Sequence, residues 1–570
     1  MEMEKKNIAI LILAIALVAS GVGNIIFLLP TPVIPEDKVT FVFGTGSGPS
    51  DLDPVRSWDS ASNDVIEQVC EGLYMYNLSS PGLEIVPRLA SGPGSWDTSG
   101  KHFTVPLRRD VYFHDGAPFN AEAVNFTFTR INWFINASGD LPASVGISQI
   151  HSLYEFPNGT TILDPNNPVT INNEYSVTIN LRAPYAVFES LICYVTAYML
   201  SPKSTPAQEY IDTASGDLVG TGPFVYDHYI ADTEVKFHSW ARYWRTGAYF
   251  EEMTFAIIKD STTRNNAMLG HTIDYLAGSM SSLFPTYDAD VTITHRAGGR
   301  ALSYYYLGMN NNLINQTWRQ AISWAINYTY IIDELTDGTT FRSNGPLAPD
   351  FPGYNESIKA ATWNLAKART IVKSMNLPGT STLTADNLTT GTNSDAWKAL
   401  SLQNWNYTYN TDNNFRADLG VLLKDNLDYI GINVIDEGIS WADFLDRAYG
   451  YAPGGYDTLM LYWIGWGPDY LSPFNMISPL FSNNSASDSA QYFNQDVEDW
   501  LDEVLTETDA GNREILYSKI VRQIVEIDMP HAFGYHPYQH SVHSADLRNV
   551  AYNAMGNFYA YPIYRVPTEY

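Results

Sequence analysis

The chain has 570 residues, a length that needs more than one hydrophobic core and predicts two or three domains. Its 45% apolar and 17% charged residues are typical of a folded globular protein and exclude a disordered or fibrous one. The formal net charge of −29 excludes a nucleic-acid partner, whose phosphates would be repelled, and argues against a polybasic attachment to anionic lipid.

The N-terminus carries a predicted membrane anchor over residues 1–30. Lys5 and Lys6 precede the uncharged, mostly apolar run Ile8–Leu29, which as a helix would be about 33 Å long and cross a bilayer. The lysines hold that end in the cytoplasm and place the rest of the chain outside. A cleaved signal peptide is the alternative, whereas the absence of a cysteine directly after the run excludes a lipoprotein signal. Residues 31–37 are rich in proline and predict a stiff stalk.

Asparagine sequons support an exterior location and predict a glycosylated surface protein. A chain rich in Asn and Thr produces part of such a set by chance, so each site is only a candidate. The candidate acceptors are Asn77, Asn125, Asn136, Asn158, Asn315, Asn327, Asn355, Asn387, Asn406 and Asn483.

Strands and helices alternate along the rest of the chain and predict an α/β to α+β fold. The β-branched segment Lys38–Gly46 predicts a strand, and a helix follows with Ser62 as its N-cap. Two short strands then precede a helix that starts at Asn120, and irregular aromatic strands are expected after 530. Further strands are predicted at 174–181, 234–240 and 251–258, and further helices at 317–327, 361–375, 415–430 and 511–527.

Residues that often carry chemistry are interpreted here as structural, and neither an enzyme nor a cofactor is predicted. Cys70 and Cys193 have no metal-ligand or redox spacing, and a disulfide between them is left open. The sequence contains no nucleophile elbow, zinc signature or acid pair of a hydrolase. No metal site is predicted from the C-terminal histidines, because prolines prevent the helix that would align them; these are His531, His536, His540 and His543, with Pro530 and Pro537.

Several motifs, taken in their order, resemble the family 5 extracellular solute-binding proteins, the peptide- and nickel-binding receptors of ABC importers. The match runs from about Val39 to the C-terminus, and an ordered set is far more specific than one motif. The matching stretches are Asp51–Asn77, Val86–Trp96, Leu107–Ile131, Val219–Tyr226, Leu307–Asn312, Thr317–Asn327 and Gly465–Asn475. In this family the stretch around His114 is a turn between strands.

The resemblance implies a bilobal, periplasmic-binding-protein-like fold with an extra inserted domain, in addition to the N-terminal transmembrane helix. Ligand would be enclosed between lobes that close by hinge motion, and ABC permease subunits would be the partners. The implied division is domain I at 38–80, 216–302 and 532–570, domain II at 81–215, and domain III at 303–531.

The stretch GWGPDY contains the sharpest candidate site, formed by Gly465, Trp466, Gly467 and Asp469. In peptide-binding relatives the aspartate at this position pairs with the ligand's amino group, and the glycines stand where a peptide is added as a strand. An ammonium taken from water needs an ionised, hydrogen-bonding partner. The alternative is a turn whose Asp serves only the fold.

A second candidate segment consists of Trp58, Asp59 and Ser60, which by position fall where relatives line the ligand from domain I. Their residue types differ from the peptide-binding pattern, and a loop that caps the following helix is the alternative. The aromatic stretches Tyr304–Tyr306 and Trp405–Tyr409 are further candidates, although alternation along a strand would bury half of each.

The resulting prediction is a receptor that captures oligopeptides or dipeptides for an ABC importer. An oligosaccharide receptor of the same family is the main alternative, because the aromatic side chains would stack on sugar rings. A structural coat protein with this fold is a third interpretation. Asp469 separates the first two, since a sugar receptor would depend more on Trp466 or Trp58.

Overall fold

The structure is a computed structural model that describes residues 39–566 except for 58, 78–82, 136–149, 157–158, 214–216, 350, 352, 412, 484, 486, 508 and 552–553. The predicted anchor and stalk, Trp58, Asn136 and Asn158 lie outside the described residues. Within the described ranges, no helix is long and apolar enough to cross a membrane.

Most longer helices begin at an Asp, Asn or Ser whose side chain accepts a backbone N–H of the first turn. The helices are α1 (Ser60–Val69), α2 (Ala121–Phe134), α3 (Ile150–Tyr154), α4 (Phe188–Leu191), α5 (Ser261–Leu269), α6 (Phe284–Ala289), α7 (Gln316–Ala325), α8 (Tyr328–Tyr330), α9 (Leu365–Ser374), α10 (Thr392–Lys398), α11 (Asn414–Asp428), α12 (Trp441–Ala448), α13 (Pro473–Phe481), α14 (Gln495–Thr506) and α15 (Ala510–Arg522). Short π-helical segments, Ile331–Leu335 and Gln523–Asp528, extend α8 and α15.

The strands combine parallel and antiparallel pairing, which confirms the mixed α/β character predicted from the sequence. They are β1 (Thr40–Thr45), β2 (Tyr74–Tyr76), β3 (Ile85–Pro87), β4 (Ser95–Trp96), β5 (His102–Pro106), β6 (Val169–Asn173), β7 (Ser176–Asn180), β8 (Phe224–Ile230), β9 (Glu234–Ser239), β10 (Glu252–Ile257), β11 (Tyr275–Leu276), β12 (Ile293–Arg300), β13 (Tyr304–Met309), β14 (Thr340–Arg342), β15 (Gln403–Asn410), β16 (Ile432–Ile439), β17 (Leu461–Trp466), β18 (His531–Ser544), β19 (Leu547–Arg548) and β20 (Tyr564–Arg565).

The long strand β18 organises the largest sheet. That sheet runs β16-β15-β17-β13-β18-β11-β1-β10-β9-β8, and β12 and β14 also pair with β18. The N-terminal part of β18 pairs with β13 and β14, and its C-terminal part pairs with β11 and β12. The irregular strands expected after 530 are one strand of 14 residues, whose pairing with β12 and β13 shows register shifts, followed by the short strands β19 and β20.

Hydrophobic clusters pack against both ends of this sheet's strand order. The larger one packs α7, α9 and α11 against β13, β15 and β17, and it includes Ile322, Ala368, Leu423, Tyr407 and Trp463. The smaller one packs α5 and α6 against β11, β12 and β18. A separate sheet of order β4-β5-β7-β6 falls inside the predicted domain II, whose boundaries stay a prediction.

The structure confirms two local predictions. The helix predicted to start at Asn120 is α2, whose N-cap is Asn120, and the predicted strands at 234–240 and 251–258 pair antiparallel as β9 and β10. The prediction that Ser62 is an N-cap was wrong. Asp59 is the cap, and its carboxylate accepts the N–H of Ser62, which already lies inside α1.

Three of the ordered motifs meet in one buried polar network around Glu71. Nε of Arg88 lies 2.6 Å from Oε1 of Glu71, and both side chains are almost wholly buried. The hydroxyl of Tyr243 donates to Oε1 at 2.8 Å, while Thr221 and Trp244 both donate to Oε2 at 2.9 Å. These motif residues therefore connect distant segments of the fold.

The His114 motif is also structural. Gly116 adopts a φ of 82°, the left-handed conformation that this turn requires. Nε2 of His114 lies 3.0 Å from the carbonyl oxygen of Gly222, and burial lowers the pKa of the imidazole to about 4. The segment around Gly220 packs directly on the end of α1, because a Cβ at Gly220 would stand 2.1 Å from the carbonyl oxygen of Val69.

Asp53, in the first of the matching stretches (Asp51–Asn77), forms a buried ion pair with Arg130 of α2. The side chains are 0% and 1% exposed, and the guanidinium binds both carboxylate oxygens, at 2.8 Å to Oδ1. Oδ2 also accepts the N–H of Ile211 at 2.8 Å. The pair ties the start of the fold to the helix that covers the second sheet.

We expect Asp53→Ala to lower the free energy of unfolding by about 3–5 kcal/mol, because it leaves the Arg130 guanidinium buried without a counter-charge. Urea denaturation followed by circular dichroism measures the change. Arg56→Ala is the control, since Arg56 pairs with Asp51 while its side chain is 55% exposed, and it should cost less than about 1 kcal/mol. Equal losses in the two variants would contradict a special role for the buried pair.

Candidate ligand-binding site

A cavity of about 540 Å³ lies between α1 on one side and β13, β17 and α12 on the other. Its volume falls in the range of small-molecule sites. The described residues of the two main candidate segments line it: Asp59, Ser60, Gly465, Trp466, Gly467 and Asp469. Residues separated by about 400 positions in the chain therefore meet at one cavity.

The turn after β17 is fixed by Asn475, which lies at the start of α13. The N–H of Asp469 donates to Oδ1 of Asn475 at 2.7 Å, and Nδ2 of Asn475 donates to Oδ2 of Asp469 at 2.9 Å. The indole N–H of Trp466 donates to the carbonyl oxygen of Asn475 at 3.1 Å. Because Asn475 is 1% exposed, one buried residue holds both candidate side chains in place, Asp469 through its side-chain amide and Trp466 through its backbone carbonyl.

The Asp469 carboxylate has neutral partners. Burial is the main cause that raises its pKa to about 6, and hydrogen bonds from Asn475 and Tyr194 offset part of that effect. Tyr194 in turn accepts Nδ2 of Asn63 at 3.0 Å, so a chain of donors runs from α1 to Asp469. This arrangement keeps a carboxylate ready for a cation.

Packing requires glycine at position 465 but not at position 467. Gly465 pairs with Tyr305 across β13 and β17, and a Cβ there would stand 2.5 Å from the Tyr305 ring. A side chain at position 465 would therefore clash with this ring, and Gly465 contributes only backbone atoms to the cavity wall. A Cβ at Gly467 would make an ordinary 3.6 Å contact with Ser303, so packing does not require glycine there.

Helix α1 turns one polar face to the cavity. Ser60, Asn63, Asp64 and Glu67 recur at helical spacing and line the space opposite the Asp469 turn. Burial raises the pKa of Asp64 to about 7 and that of Glu67 to about 8, and the nearby Asp64 charge adds to the Glu67 shift. The polar face of α1 was a signal that the sequence interpretation missed.

Arg416 in the first turn of α11 brings a positive charge to the same cavity. The residue is 7% exposed, its guanidinium donates to Oδ1 of Asn410, and it stands 5.1 Å from the Trp441 ring centroid. A fixed guanidinium suits a carboxylate, since its planar fork matches two oxygens. Sequence reasoning also missed Arg416, because a single arginine in a helical pattern predicts only a solvated face.

The remaining wall is apolar and aromatic. Trp441, Leu445 and Tyr449 follow one face of α12 and line the cavity, as do Tyr305 and Tyr306. By contrast, Trp405–Tyr409 lies in β15, and none of its residues lines the cavity. Cys70 and Cys193 are buried free thiols.

Residues 84–488 match the family described as bacterial extracellular solute-binding proteins, family 5. The chain belongs to this family. Among family members, the heme-binding protein A of Haemophilus influenzae is 25% identical over 87% of this chain and 88% of its own length. The di/tripeptide-binding protein 1 of Pseudomonas aeruginosa is 24% identical over 88% of this chain and 90% of its own length.

Solved structures share the fold of this family 5 protein. A periplasmic binding protein from Helicobacter pylori in complex with the peptide STSA superposes with a TM-score of 0.78 at 21% identity, covering 93% of this chain and 98% of the other. A dipeptide-binding protein from Pseudoalteromonas in complex with Met-Leu gives 0.77 at 20% identity, covering 92% and 100%. The fold class is therefore that of the periplasmic binding proteins.

We expect Glu67→Gln to stabilise the ligand-free family 5 protein increasingly as pH rises from about 4.5 to about 8. The folded-state pKa lies above the unfolded value, so the unchanged protein loses stability over this window as the unfolded chain releases its proton first. Gln copies the neutral form and can still accept Nδ2 of Asn557, which lies 2.7 Å from Oε1.

Calorimetric melting across this pH range measures the difference between the variant and the unchanged protein. Glu514→Gln, at an exposed position on α15, is the control and should show no such trend. A difference for Glu67→Gln that stays constant with pH would contradict a buried, proton-retaining carboxyl group.

Proposed function

We propose that this protein is the extracytoplasmic receptor of an ABC importer and captures dipeptides or short oligopeptides in the cavity described above. The observation that carries the proposal is that a carboxylate, Asp469, and a guanidinium, Arg416, line one cavity of small-molecule size. A peptide with free ends carries the two opposite charges that such a site would hold.

The amino terminus of the peptide would be held by Asp469. Its carboxylate is half-buried and accepts hydrogen bonds from the neutral side chains of Asn475 and Tyr194, so an ammonium would offset the cost of its desolvation. Backbone groups of Gly465 and Gly467 at the end of β17 would then pair with the extended ligand. This is the role that the sequence motif predicts for these residues.

The carboxyl terminus would be held by Arg416, whose position is fixed by Asn410 and the Trp441 ring. Because both ends are anchored in a cavity of about 540 Å³, the proposal favours ligands of two or three residues. The names of two relatives support this size class, since one is called a di/tripeptide-binding and another a dipeptide-binding protein.

An oligosaccharide receptor is the competing proposal. Trp466 lines the cavity, and its ring is held by the hydrogen bond to Asn475, as a sugar-stacking platform would require. The charged pair across the cavity favours the peptide, because neutral sugars would leave Asp469 and Arg416 without partners from the ligand.

The wider arrangement is also proposed. Domains I, II and III would have the boundaries given above, and the ligand would drive hinge closure and docking on permease subunits. Residues 1–30 would remain as a membrane anchor with the bulk of the chain outside. The sequon asparagines would carry sugars, and those at Asn315, Asn387, Asn406 and Asn483 are exposed.

We expect Asp469→Asn to weaken binding of Ala-Ala about 100-fold, a loss of ~2.7 kcal/mol, because it removes the charged partner of the ammonium. N-acetylated Ala-Ala should bind the unchanged protein as weakly as Ala-Ala binds the variant. Isothermal titration calorimetry measures both, and Asp457→Asn, an exposed change in the same half of the chain, is the control.

Two results would overturn the peptide proposal. The first is equal affinity of free and acetylated Ala-Ala for the unchanged protein. The second is binding of an oligosaccharide that Trp466→Ala abolishes while Asp469→Asn leaves it intact.

We expect the full-length protein to stay with membranes after an alkaline carbonate wash and to need detergent for release. Its intact mass should include residues 1–30, with any added sugar read as excess mass, and deletion of residues 1–30 should release it. A mature N-terminus beyond residue 30 in the unchanged protein would instead establish a cleaved signal peptide.

A further inference from the structure

The cavity contains more acidic side chains than a peptide backbone explains. Four carboxylates line it, those of Asp59, Asp64, Glu67 and Asp469, together with the guanidinium of Arg416. Neither Asp64 nor Glu67 has a role in the proposed binding of a peptide backbone. A bound backbone would pair one ammonium with Asp469 and one carboxylate with Arg416, which leaves three acidic groups to explain.

Asp59 is explained by the fold. One of its oxygens accepts the N–H of Ser62 at 3.0 Å, and the other accepts the hydroxyls of Ser50 and Ser62 at 2.5 Å each. These bonds cap α1 and satisfy the carboxylate. Its charge is therefore used by the helix terminus.

Asp64 and Glu67 are not satisfied in this way. Among the described residues, Asp64 accepts one weak hydrogen bond, from the N–H of Phe558 at 3.4 Å, and Glu67 accepts one from Asn557 at 2.7 Å. Besides burial and these neutral donors, the charge of Asp59 acts on Asp64 and the charge of Asp64 acts on Glu67, and within the described chain neither forms an ion pair with a Lys, Arg or His.

Such a pair is costly in a ligand-free protein. Two carboxyl groups one helical turn apart would repel each other if both were ionised, and their partial removal from water raises the pKa of both. A cation placed between them would reverse both effects, because it supplies the opposite charge and the missing hydrogen-bond donors. An ammonium or guanidinium is the chemical group that the cavity lacks at this position.

Glu67 lies between the main cavity and a second pocket, and this position indicates which part of the ligand would carry the cation. A narrower pocket of about 40 Å³ opens beside the main cavity and shares Glu67, Tyr194 and Asp469 with it. Met75 and Met555 line this pocket and would contact the methylene groups of a long side chain. The Glu71–Arg88 ion pair also lines it, and its two charges offset each other. Since Asp469 would hold the ligand's amino terminus, the neighbouring space belongs to the side chain of the first ligand residue.

We propose that the cavity selects short peptides whose first residue has a cationic side chain, with Asp64 and Glu67 as specificity-determining residues for that cation. The inference rests on the proposed peptide function and deepens it. The ligand class is therefore a peptide that begins with a lysine-type or arginine-type residue.

The experiment compares Lys-Ala with norleucyl-Ala, which has a side chain of nearly the same length and no charge. We expect the unchanged protein to bind Lys-Ala at least about tenfold more tightly, and the double variant Asp64→Asn, Glu67→Gln to bring the ratio of the two Kd values close to one. The ratio cancels any general loss of affinity or fold. Glu514→Gln is the control variant and should keep the original ratio.

The position of the cation is tested with Ala-Lys, which should gain little over Ala-norleucine. A Lys-Ala to norleucyl-Ala ratio near one in the unchanged protein would overturn the inference while leaving the peptide function intact. A ratio that the double variant preserves would overturn the assignment to Asp64 and Glu67. Failure of every dipeptide to bind would instead refute the proposed function itself.

Discussion

Strand β18 is the constraint on which the rest of the structure depends. Its first residues pair with β13 and β14, and its last residues pair with β11 and β12, so one strand belongs to both sides of the large sheet. A strand cannot shift its register without turning its side chains to the opposite face. The cavity lies between α1 and the end of β17, and one of its walls is formed by Tyr305 and Tyr306 of β13, the strand that pairs with β18.

Charge and desolvation determine what the cavity can hold. The fold satisfies its structural carboxylates with cations or several donors, as Asp53 with Arg130 and Glu71 with Arg88. At the cavity it supplies only neutral donors, so the acidic side chains there remain costly until a ligand arrives. Binding energy would then come from relief of that cost, which explains how a site with few hydrogen bonds selects a charged solute.

Much of the fold followed from the sequence because its signals are local or ordered. The N-cap Asn120, the β9–β10 pair and the turn at Gly116 each depend on neighbouring residues. The site was predictable only in part, since GWGPDY supplied Asp469 whereas Arg416, Asn475 and the acidic face of α1 acquire meaning through tertiary contacts. Gly465 shows why local sequence signals are not enough. Its lack of a side chain makes room for the Tyr305 ring, which belongs to a strand about 160 residues away in the chain.

Mass spectrometry of the solutes released when the purified full-length protein is denatured tests the central claim most directly. The account predicts short peptides, roughly two or three residues long, with a free amino terminus and a lysine or arginine in first position. Release of oligosaccharides, or of peptides with blocked amino termini, would contradict it.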